Sequence, residues 1–161
     1  PSPEELAEIA LLSADVARRF GIEPRIAMLS FSNFGSARYP ESEKVARATT
    51  LLKKMAPDLV VEGELQADAA VMPEMLRKLF PFSKLQEPAN VFIFPELNSA
   101  NIAYKLLQRV GGLDAIGPIL MGLSKPVHIL HRTLDVNEIV DMAAIAVVDA
   151  QAPTGGSARA K

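Results

Sequence analysis

The chain has 161 residues, of which 49% are apolar, a net charge of −2 and no cysteine. This length allows one compact domain with its own core, the apolar content excludes a disordered chain, and the absence of a basic stripe argues against a nucleic-acid partner. No apolar run approaches the roughly 20 residues that span a bilayer, and no signal-peptide pattern is present. The lack of cysteine fits a cytoplasmic protein. The chain begins at Pro1, so we expect a fragment of a longer protein.

Helical and extended patterns alternate along the chain. A serine cap, a proline at the first helical position and a glutamate three residues after the cap predict the start of the first helix. An acidic capping box predicts the start of the last helix. The predicted order is helix 2–21, strand 25–30, helix 42–55, strand 58–65, helix 68–80 with an early proline, strand 90–95, helix 98–110, short β-like runs 115–122 and 126–130, and helix 135–149.

The predicted strands are continuous apolar runs, as in NVFIFP (90–95), rather than alternating patterns. Such runs are typical of strands that are covered on both faces, so we expect an α/β fold with a mainly parallel sheet and helices on both sides. Ligands bind such sheets outside the carboxyl ends of the strands. The loops after strands 25–30, 90–95 and 126–130 are therefore the first places to look for a site.

The loop LSFSNFGSARYP leads from the first strand into a helix. Small hydroxyl residues and backbone N–H groups near a helix N-terminus suit a phosphate or another oxyanion, although neither GxxxxGK[ST] nor GxGxxG is present. An ordinary strand-to-helix loop with serine caps is the alternative. The candidate ligand contacts in this loop are Ser30, Ser32, Asn33, Gly35, Ser36 and Arg38.

The segment FPELNSANIAYKLLQR has the same layout after strand 90–95. Asn98, Ser99 and Asn101 could contact a ligand, with Tyr104 and Lys105 one turn further along the helix. Asn and Ser are also good N-caps, so we expect Asn98 or Ser99 to cap this helix, and plain capping is the alternative to ligand binding.

Two further groups of titratable residues have less specific patterns. Carboxylates at Glu62, Glu64 and Asp68 could bind a cation or act as acid and base, but a solvated strand end followed by a helix cap is the interpretation we favour. If 126–130 is a strand, His128 and His131 point to opposite faces, which argues against a shared metal. No GxSxG elbow supports a serine hydrolase.

Four segments together resemble the C-terminal half of phosphate acetyltransferases, over about residues 3–150. These segments are SFSNFGSA, V-x-GELQADAA, ANVFIFPELNSANIAYKLLQR and IGPILMGxxKPV. Within that family the chain is most similar to the phosphotransacetylase-like C-terminal domain of bacterial NADP-dependent malic enzymes, through Phe34, PFSKL and KPVHILHR. The resemblance implies a lobe of the isocitrate/isopropylmalate-dehydrogenase type at 1–150. The tail 151–161 is polar and rich in glycine, so we expect it to be flexible.

The family moves an acetyl group between phosphate and coenzyme A, and the resemblance implies an acyl-CoA cleft with the serine-rich loop at its phosphate and acetyl end. Active members resemble KPVNDLSRG where this chain has KPVHILHRT. His128, Ile129, His131 and Thr133 replace the family's residues, and Arg132 stays. Glu138 falls where the family's assisting acid would be. The site residues that the resemblance favours are Ser30, Ser32, Asn33, Gly35, Ser36, Asn98, Asn101, Lys105, His131 and Arg132.

Because the serine and the aspartate of that pattern are missing, we expect the domain to have lost acetyl transfer and name no catalytic residue. The first hypothesis is a regulatory domain that binds acetyl-CoA as an allosteric effector and helps a malic enzyme to oligomerise as a dimer or larger assembly. NADP and Mg²⁺ or Mn²⁺ would then belong to malic enzyme catalytic domains elsewhere in the same polypeptide. A working phosphate acetyltransferase is the second hypothesis, and a structural module without a ligand is the third.

Overall fold

The computed structural model describes residues 1–123, 125–130, 132 and 134–151. Within these residues a small parallel sheet is combined with helices, which confirms the predicted α/β class. In chain order the elements are α1 (Pro3–Arg19), β1 (Arg25–Leu29), α2 (Pro40–Met55), β2 (Val60–Leu65), α3 (Ala67–Val71), α4 (Pro73–Leu79), β3 (Val91–Ile93), α5 (Leu97–Arg109) and α6 (Val136–Gln151).

The sheet has the order β2-β1-β3, so β1 lies at its centre with a parallel neighbour on each side. Alternate residues of β1 point to opposite faces. Ile26 and Met28 join a core with α1 and α2, and Ala27 and Leu29 join a second core with α3 and α4. Helices therefore cover both faces of the central strand, as the continuous apolar run predicts.

The N-terminal helix begins as the sequence predicts. The hydroxyl of Ser2 accepts a hydrogen bond from the Glu5 N–H at 3.2 Å, and the Glu5 carboxylate accepts one from the Ser2 N–H at 2.7 Å. The predicted helix 68–80 is instead two short helices, because the residue before Pro73 is disfavoured in the helical region. Met72 has φ −116° and ψ 81°, and it separates α3 from α4.

The chain beyond β3 packs differently. The helix α5 forms as predicted, but it buries none of its residues, and the apolar side chains expected on its inner stripe are 54–81% exposed. These side chains are Ile102, Leu106, Leu107 and Val110. The two β-like runs predicted between α5 and α6 are not strands, and a single antiparallel bridge joins Ile119 to His128. Runs of this length need a neighbouring strand to supply hydrogen bonds.

The last helix begins with the predicted acidic capping box. The Asp135 carboxylate accepts from the Glu138 N–H at 2.9 Å, and the Glu138 carboxylate accepts from the Asp135 N–H at 2.8 Å. The expected tail 151–161 lies outside the described residues, except Gln151, which ends α6. Across the ranges that the structure describes, no helix has both the length and the apolar character needed to cross a membrane.

Candidate functional site

The candidate site lies at the carboxyl edge of the sheet, where the loops after β1 and β3 are neighbours because their strands are adjacent and parallel. A hydrogen bond joins them: the Lys44 Nζ in the first turn of α2 donates to the Pro95 carbonyl at 2.9 Å. The loop after β2 is tied in by Gln66, whose N–H donates to Asn33 Oδ1 at 2.8 Å and whose side chain donates to the Phe31 carbonyl at 2.6 Å. Lys44 and Gln66 were not singled out in the sequence.

Most polar groups of the serine loop, residues 30–39, are hydrogen-bonded within the protein. Ser32 is fully buried and Asn33 is nearly so, whereas Gly35 and Ser36 are exposed and Ser30 is partly exposed. The Ser36 hydroxyl accepts from the Asn33 N–H at 2.9 Å. Among the loop residues predicted to contact a ligand, Ser32 and Asn33 therefore shape the loop, and Gly35 and Ser36 are at the surface.

A conformation that is uncommon for a large residue lies at the tip of this loop. Phe34 has φ +47°, in the left-handed region that costs most side chains about 1–2 kcal/mol. Its N–H donates to the Glu64 carbonyl at 2.9 Å, and its ring packs 4.9 Å from the rings of Phe80 and Phe82. These contacts offset the cost and fix the direction in which Gly35 and Ser36 leave the turn.

Glu64 is buried beneath this loop, with 3% of its surface exposed. One carboxylate oxygen accepts from the Ser32 hydroxyl at 2.8 Å and from the Gly35 N–H at 2.6 Å. The strand register explains how the side chain reaches the loop. Met28 pairs with Gly63 and Leu29 with Leu65, so Glu64 has no partner on β1. Such irregularities re-aim a side chain next to functional loops.

Glu62 is buried as well, with 2% of its surface exposed. Its carboxylate accepts from Lys53 Nζ at 2.7 Å and from the Lys84 N–H at 2.6 Å. The favoured interpretation of Glu62 and Glu64 as a solvated strand end is therefore wrong, because partners from other elements allow both carboxylates to be buried. Asp68 is exposed and accepts from the Ala69 N–H. In the described part of the chain no three His, Asp or Glu side chains meet closely enough to hold a metal ion.

The cap of α5 is Glu96, not Asn98 or Ser99 as predicted. Its two carboxylate oxygens accept from the N–H groups of Asn98 at 2.6 Å and Ser99 at 2.7 Å. A carboxylate can take two N–H groups and also opposes the positive end of the helix dipole, which a single hydroxyl or amide cannot match. Interactions with the side chain and N–H of Ser99, and then with the Asn98 N–H, hold the pKa of Glu96 below its usual value.

With Glu96 as the cap, the side chains of Asn98, Asn101 and Lys105 are exposed along α5. The Lys105 ammonium lies 4.8 Å from the centre of the Tyr104 ring. These three candidate residues share one helix that follows β3, and Lys44 links its entry to the serine loop. The fold thus brings the two candidate loops to the same edge.

The segment with the two histidines can be followed only in part. His131 lies outside the described residues, and Arg132 is exposed. His128 is 12% exposed in its side chain, and its Nε2 lies 3.5 Å from Asp149 Oδ2 without the alignment of a hydrogen bond. The Asp149 carboxylate also accepts a hydrogen bond from Arg19 Nη1 at 2.5 Å. His128 therefore faces the ends of α1 and α6.

A shallow cavity of about 200 Å³ lies beside the serine loop at the start of α2. Gly35 and Arg38 line it together with the carboxylates of Glu43 and Glu64. The exposed Arg38 supplies one positive charge at this cavity beside the two carboxylates, so an anionic group has favourable contacts with Arg38 and the outer face of the loop, away from Glu43 and Glu64.

Comparison with known proteins identifies the relatives of this arrangement. The family model for phosphate acetyl/butaryl transferase matches residues 1–147. The phosphate acetyltransferase of Bacillus subtilis (strain 168) is 47% identical over 150 residues, which are 93% of this chain and 46% of that protein. The NADP-dependent malic enzyme of Escherichia coli (strain K12) is 46% identical over 153 residues, 94% of this chain and 20% of that protein.

Solved structures agree with this assignment. The EutD phosphotransacetylase from Staphylococcus aureus superimposes with a TM-score of 0.89 at 42% identity, covering 93% of this chain and 47% of that one. A phosphotransacetylase from Streptococcus pyogenes gives a TM-score of 0.88 at 48% identity, covering 93% and 46%. The chain spans less than half the length of these relatives. It belongs to the phosphate acetyl/butaryl transferase family, and its relatives include both phosphate acetyltransferases and NADP-dependent malic enzymes.

Proposed function

We propose that residues 1–150 are the second lobe of a phosphotransacetylase-like domain in a cytoplasmic bacterial NADP-dependent malic enzyme. In this proposal the domain binds acetyl-CoA as an effector and no longer transfers acetyl groups. The oxidation of malate, with its NADP and Mg²⁺ or Mn²⁺, belongs to catalytic domains outside this chain. Identity near 46% to malic enzymes over almost the whole chain supports this, although phosphate acetyltransferases reach the same level.

The observation that carries the proposed loss of catalysis is the position of His128. The resemblance puts an asparagine of the active pattern here, and the imidazole in this chain is buried against Asp149, with neither ring nitrogen hydrogen-bonded to the residues that the structure describes. A side chain packed between the ends of α1 and α6 is not offered to a ligand at the carboxyl edge of the sheet. The sequence changes at 129 and 131 remove the aspartate and the serine of that pattern, and residue 133 is threonine where the pattern has glycine.

Ligand binding is supported by what remains at the edge of the sheet. Gly35 and Arg38 are exposed at the 200 Å³ cavity, Ser36 is exposed next to Gly35 in the chain, and Asn98, Asn101 and Lys105 are exposed on α5. Cations and outward-facing hydroxyl and amide groups suit the phosphates and the thioester oxygen of acetyl-CoA. We place Ser30 at the rim of the same site, and we assign Arg132 and His131 to its far side from the resemblance alone.

Oligomerisation is the second part of the proposal. Isolated exposed apolar residues need no explanation, but a contiguous set does. Leu97, Ile102, Leu106 and Leu107 of α5 are more than half exposed, and Val136 and Val140 of α6 are 75% and 60% exposed. We propose that the α5 surface packs in a homo-oligomer of the malic enzyme, and that acetyl-CoA prefers one quaternary state by a coupling of about 1–3 kcal/mol.

The test is acetyl-CoA binding by calorimetry to the full-length protein that contains this chain, beside its Arg132→Ala variant. Arg47→Ala is the matched control, because Arg47 is an exposed arginine on α2 that lies 3.8 Å from Glu4. We expect saturable binding that is weakened at least tenfold by Arg132→Ala, unchanged by Arg47→Ala, and accompanied by no acetyl phosphate when phosphate is added.

Formation of acetyl phosphate would instead favour a working phosphate acetyltransferase, which the 47% identity to such enzymes makes the second candidate. Absence of binding to the full-length protein would leave a structural module without a ligand. The oligomer is tested by sedimentation of Leu106→Asp beside Thr50→Asp, which adds the same charge on the exposed face of α2. Dissociation of the first variant alone is expected, and an unchanged mass for both would overturn the proposed surface.

A further inference from the structure

The proposed acetyl-CoA site has a buried carboxylate behind it that the resemblance does not assign a role. Glu64 is 3% exposed, and a buried carboxylate is costly unless hydrogen bonds satisfy it. Both partners found for its Oε1 atom, the Ser32 hydroxyl and the Gly35 N–H, belong to the serine loop. The position of this charge therefore depends on the loop, and the shape of the loop depends on this charge.

The hydroxyl protons of the loop can be followed one at a time. A hydroxyl has one proton and two acceptor sites. A carboxylate oxygen cannot donate, so the 2.8 Å contact between Ser32 Oγ and Glu64 uses the Ser32 proton. Ser32 Oγ in turn accepts from the Ala37 N–H at 3.1 Å. Ser32 is thus held through its proton and one of its acceptor sites, and because it is fully buried it is not available to a ligand.

Ser36 is in the opposite situation. Its Oγ accepts from the Asn33 N–H at 2.9 Å, and among the described residues the one acceptor near its own proton is Ser32 Oγ at 3.3 Å. That distance is long for a hydrogen bond between hydroxyl groups, whose usual range is about 2.5–3.0 Å. Since the Ser32 proton is already committed to Glu64, a donation between the two serines can only run from Ser36. The proton of the exposed Ser36 is therefore the one that a ligand oxygen can recruit.

We propose that Glu64 is a positioning residue of the serine loop, and that by taking the Ser32 proton and the Gly35 N–H it makes the Ser36 hydroxyl the outward-facing donor. This inference rests on the proposed function, because the ligand oxygen is that of acetyl-CoA. Glu64 lines the cavity beside the serine loop, and in this proposal it acts on the ligand through Ser32 and Gly35. The N–H groups of residues 33–37 are all occupied within the protein. The loop therefore offers Ser36 rather than a row of backbone donors.

The test compares Glu64→Ala with Glu64→Gln in the full-length protein. The Gln Oε1 can still accept from both Ser32 and Gly35, whereas Ala cannot, so we expect Gln to keep the acetyl-CoA Kd within about threefold and Ala to weaken it by about tenfold or more. Ser36→Ala should weaken binding by about tenfold, and Glu64→Ala combined with Ser36→Ala should be little worse than either alone. Asn101→Ala is the control partner, whose effect should add independently to that of Glu64→Ala.

Hydrogen exchange provides the second readout, independent of the ligand. The amides of Gly35 and Ala37 should exchange faster in Glu64→Ala and remain protected in Glu64→Gln. Binding that persists with unchanged exchange in Glu64→Ala would overturn the positioning role while leaving the proposed function standing. If the unsubstituted protein fails to bind acetyl-CoA, the proposed function and the donor role of Ser36 both fall. Equal losses of acetyl-CoA affinity in the Gln and Ala variants would contradict the proposed acceptor role of Glu64 and would assign the effect to its charge.

Discussion

Residues 1–96 and residues 97–151 are built on the same helical and apolar patterns, yet they bury very different amounts of surface. The first part packs helices on both faces of the sheet and contains the two core clusters. Met142 is the one buried hydrophobic residue of the second part among the described positions. An amphipathic pattern predicts that a helix has a face to bury, but not which molecule covers it. The exposed part is therefore where we expect this chain to depend on something outside itself.

The largest expected effect lies in the first part, at Gly63. A Cβ at this position would lie 2.6 Å from Met28 Cβ and 2.8 Å from the Met28 carbonyl oxygen, in the centre of the sheet. Backbone atoms of a central strand cannot move aside, so Gly63→Ala should cost more than about 4 kcal/mol and prevent stable folding. Urea unfolding measures the loss.

The matched control for this change is Gly21→Ala. Gly21 also has positive φ, +70°, but a Cβ there meets nothing within 4 Å. Its cost should therefore be only the backbone strain, about 1–2 kcal/mol. Similar losses in the two variants would mean that the close approach of β1 and β2 is not what limits residue 63.

The same substitution in the two parts sharpens the comparison. Leu52 of α2 is fully buried and Leu107 of α5 is 54% exposed. In the isolated chain, Leu52→Ala should lower the free energy of unfolding by about 2–5 kcal/mol, and Leu107→Ala should change it by less than about 0.5 kcal/mol. Denaturant titrations of the isolated chain measure both changes.

Repeating this pair in the full-length protein tests what covers α5. If the α5 surface is an interface, Leu107→Ala should become destabilising there, whereas the effect of Leu52→Ala should stay the same. A Leu107→Ala effect that is equally small in both forms would contradict a covered α5.

A smaller effect is expected at the ion pair between Lys53 and the buried Glu62. The two atoms are 2.7 Å apart, and the lysine side chain is 41% exposed. Removing one partner of a fully buried pair costs about 3–5 kcal/mol. Because Lys53 is partly exposed, water can take over part of its interaction with Glu62, so Lys53→Ala should cost about 1–2 kcal/mol. Lys54→Ala, at an exposed neighbouring lysine, should cost almost nothing. Equal unfolding midpoints for the two variants would show that water alone satisfies Glu62.

The smallest effect concerns Glu96, where the two parts join. The folded protein holds the pKa of Glu96 below that of an ordinary glutamate, so its capping contribution is present above the ordinary pKa and is lost as the pH falls through the lowered folded pKa. Glu96→Gln should remove this acid dependence and slightly raise the amide exchange of Asn98 and Ser99 at pH 7. Glu8→Gln, on the exposed face of α1, should change neither this acid dependence nor the exchange of these two amides. Identical acid titrations of stability for Glu96→Gln and the unsubstituted chain would refute the cap.

Local chemistry made several elements of both parts predictable from the sequence. The serine cap of α1, the buried run of β1 and the acidic box of α6 each depend on residues within a few positions, and all three form as predicted. The split at Pro73 was marked by the proline itself. Glu96 could have been predicted as a cap, since it directly precedes the helical run and can receive two N–H groups.

The site was less readable, because its geometry depends on contacts between distant elements. Burial of Glu62 requires Lys53 from α2, and burial of Glu64 requires the loop after β1. Whether a serine of SNFGS points inward or outward depends on the left-handed turn at Phe34, which the pattern of small hydroxyl residues does not reveal. Ser32 and Ser36 therefore look equivalent in the sequence and have opposite roles in the fold.

The Asp149 carboxylate joins three segments that are far apart in the chain, since it contacts Arg19 at the end of α1 and faces His128 of the segment that leads to Arg132. The chain contains no tryptophan and no cysteine. Phe20, next to Arg19 and 39% exposed, is therefore a place where one introduced indole would be the chain's sole tryptophan fluorophore. Its emission would report, in real time, whether structural changes near Arg132 are transmitted to residue 20 at the end of α1.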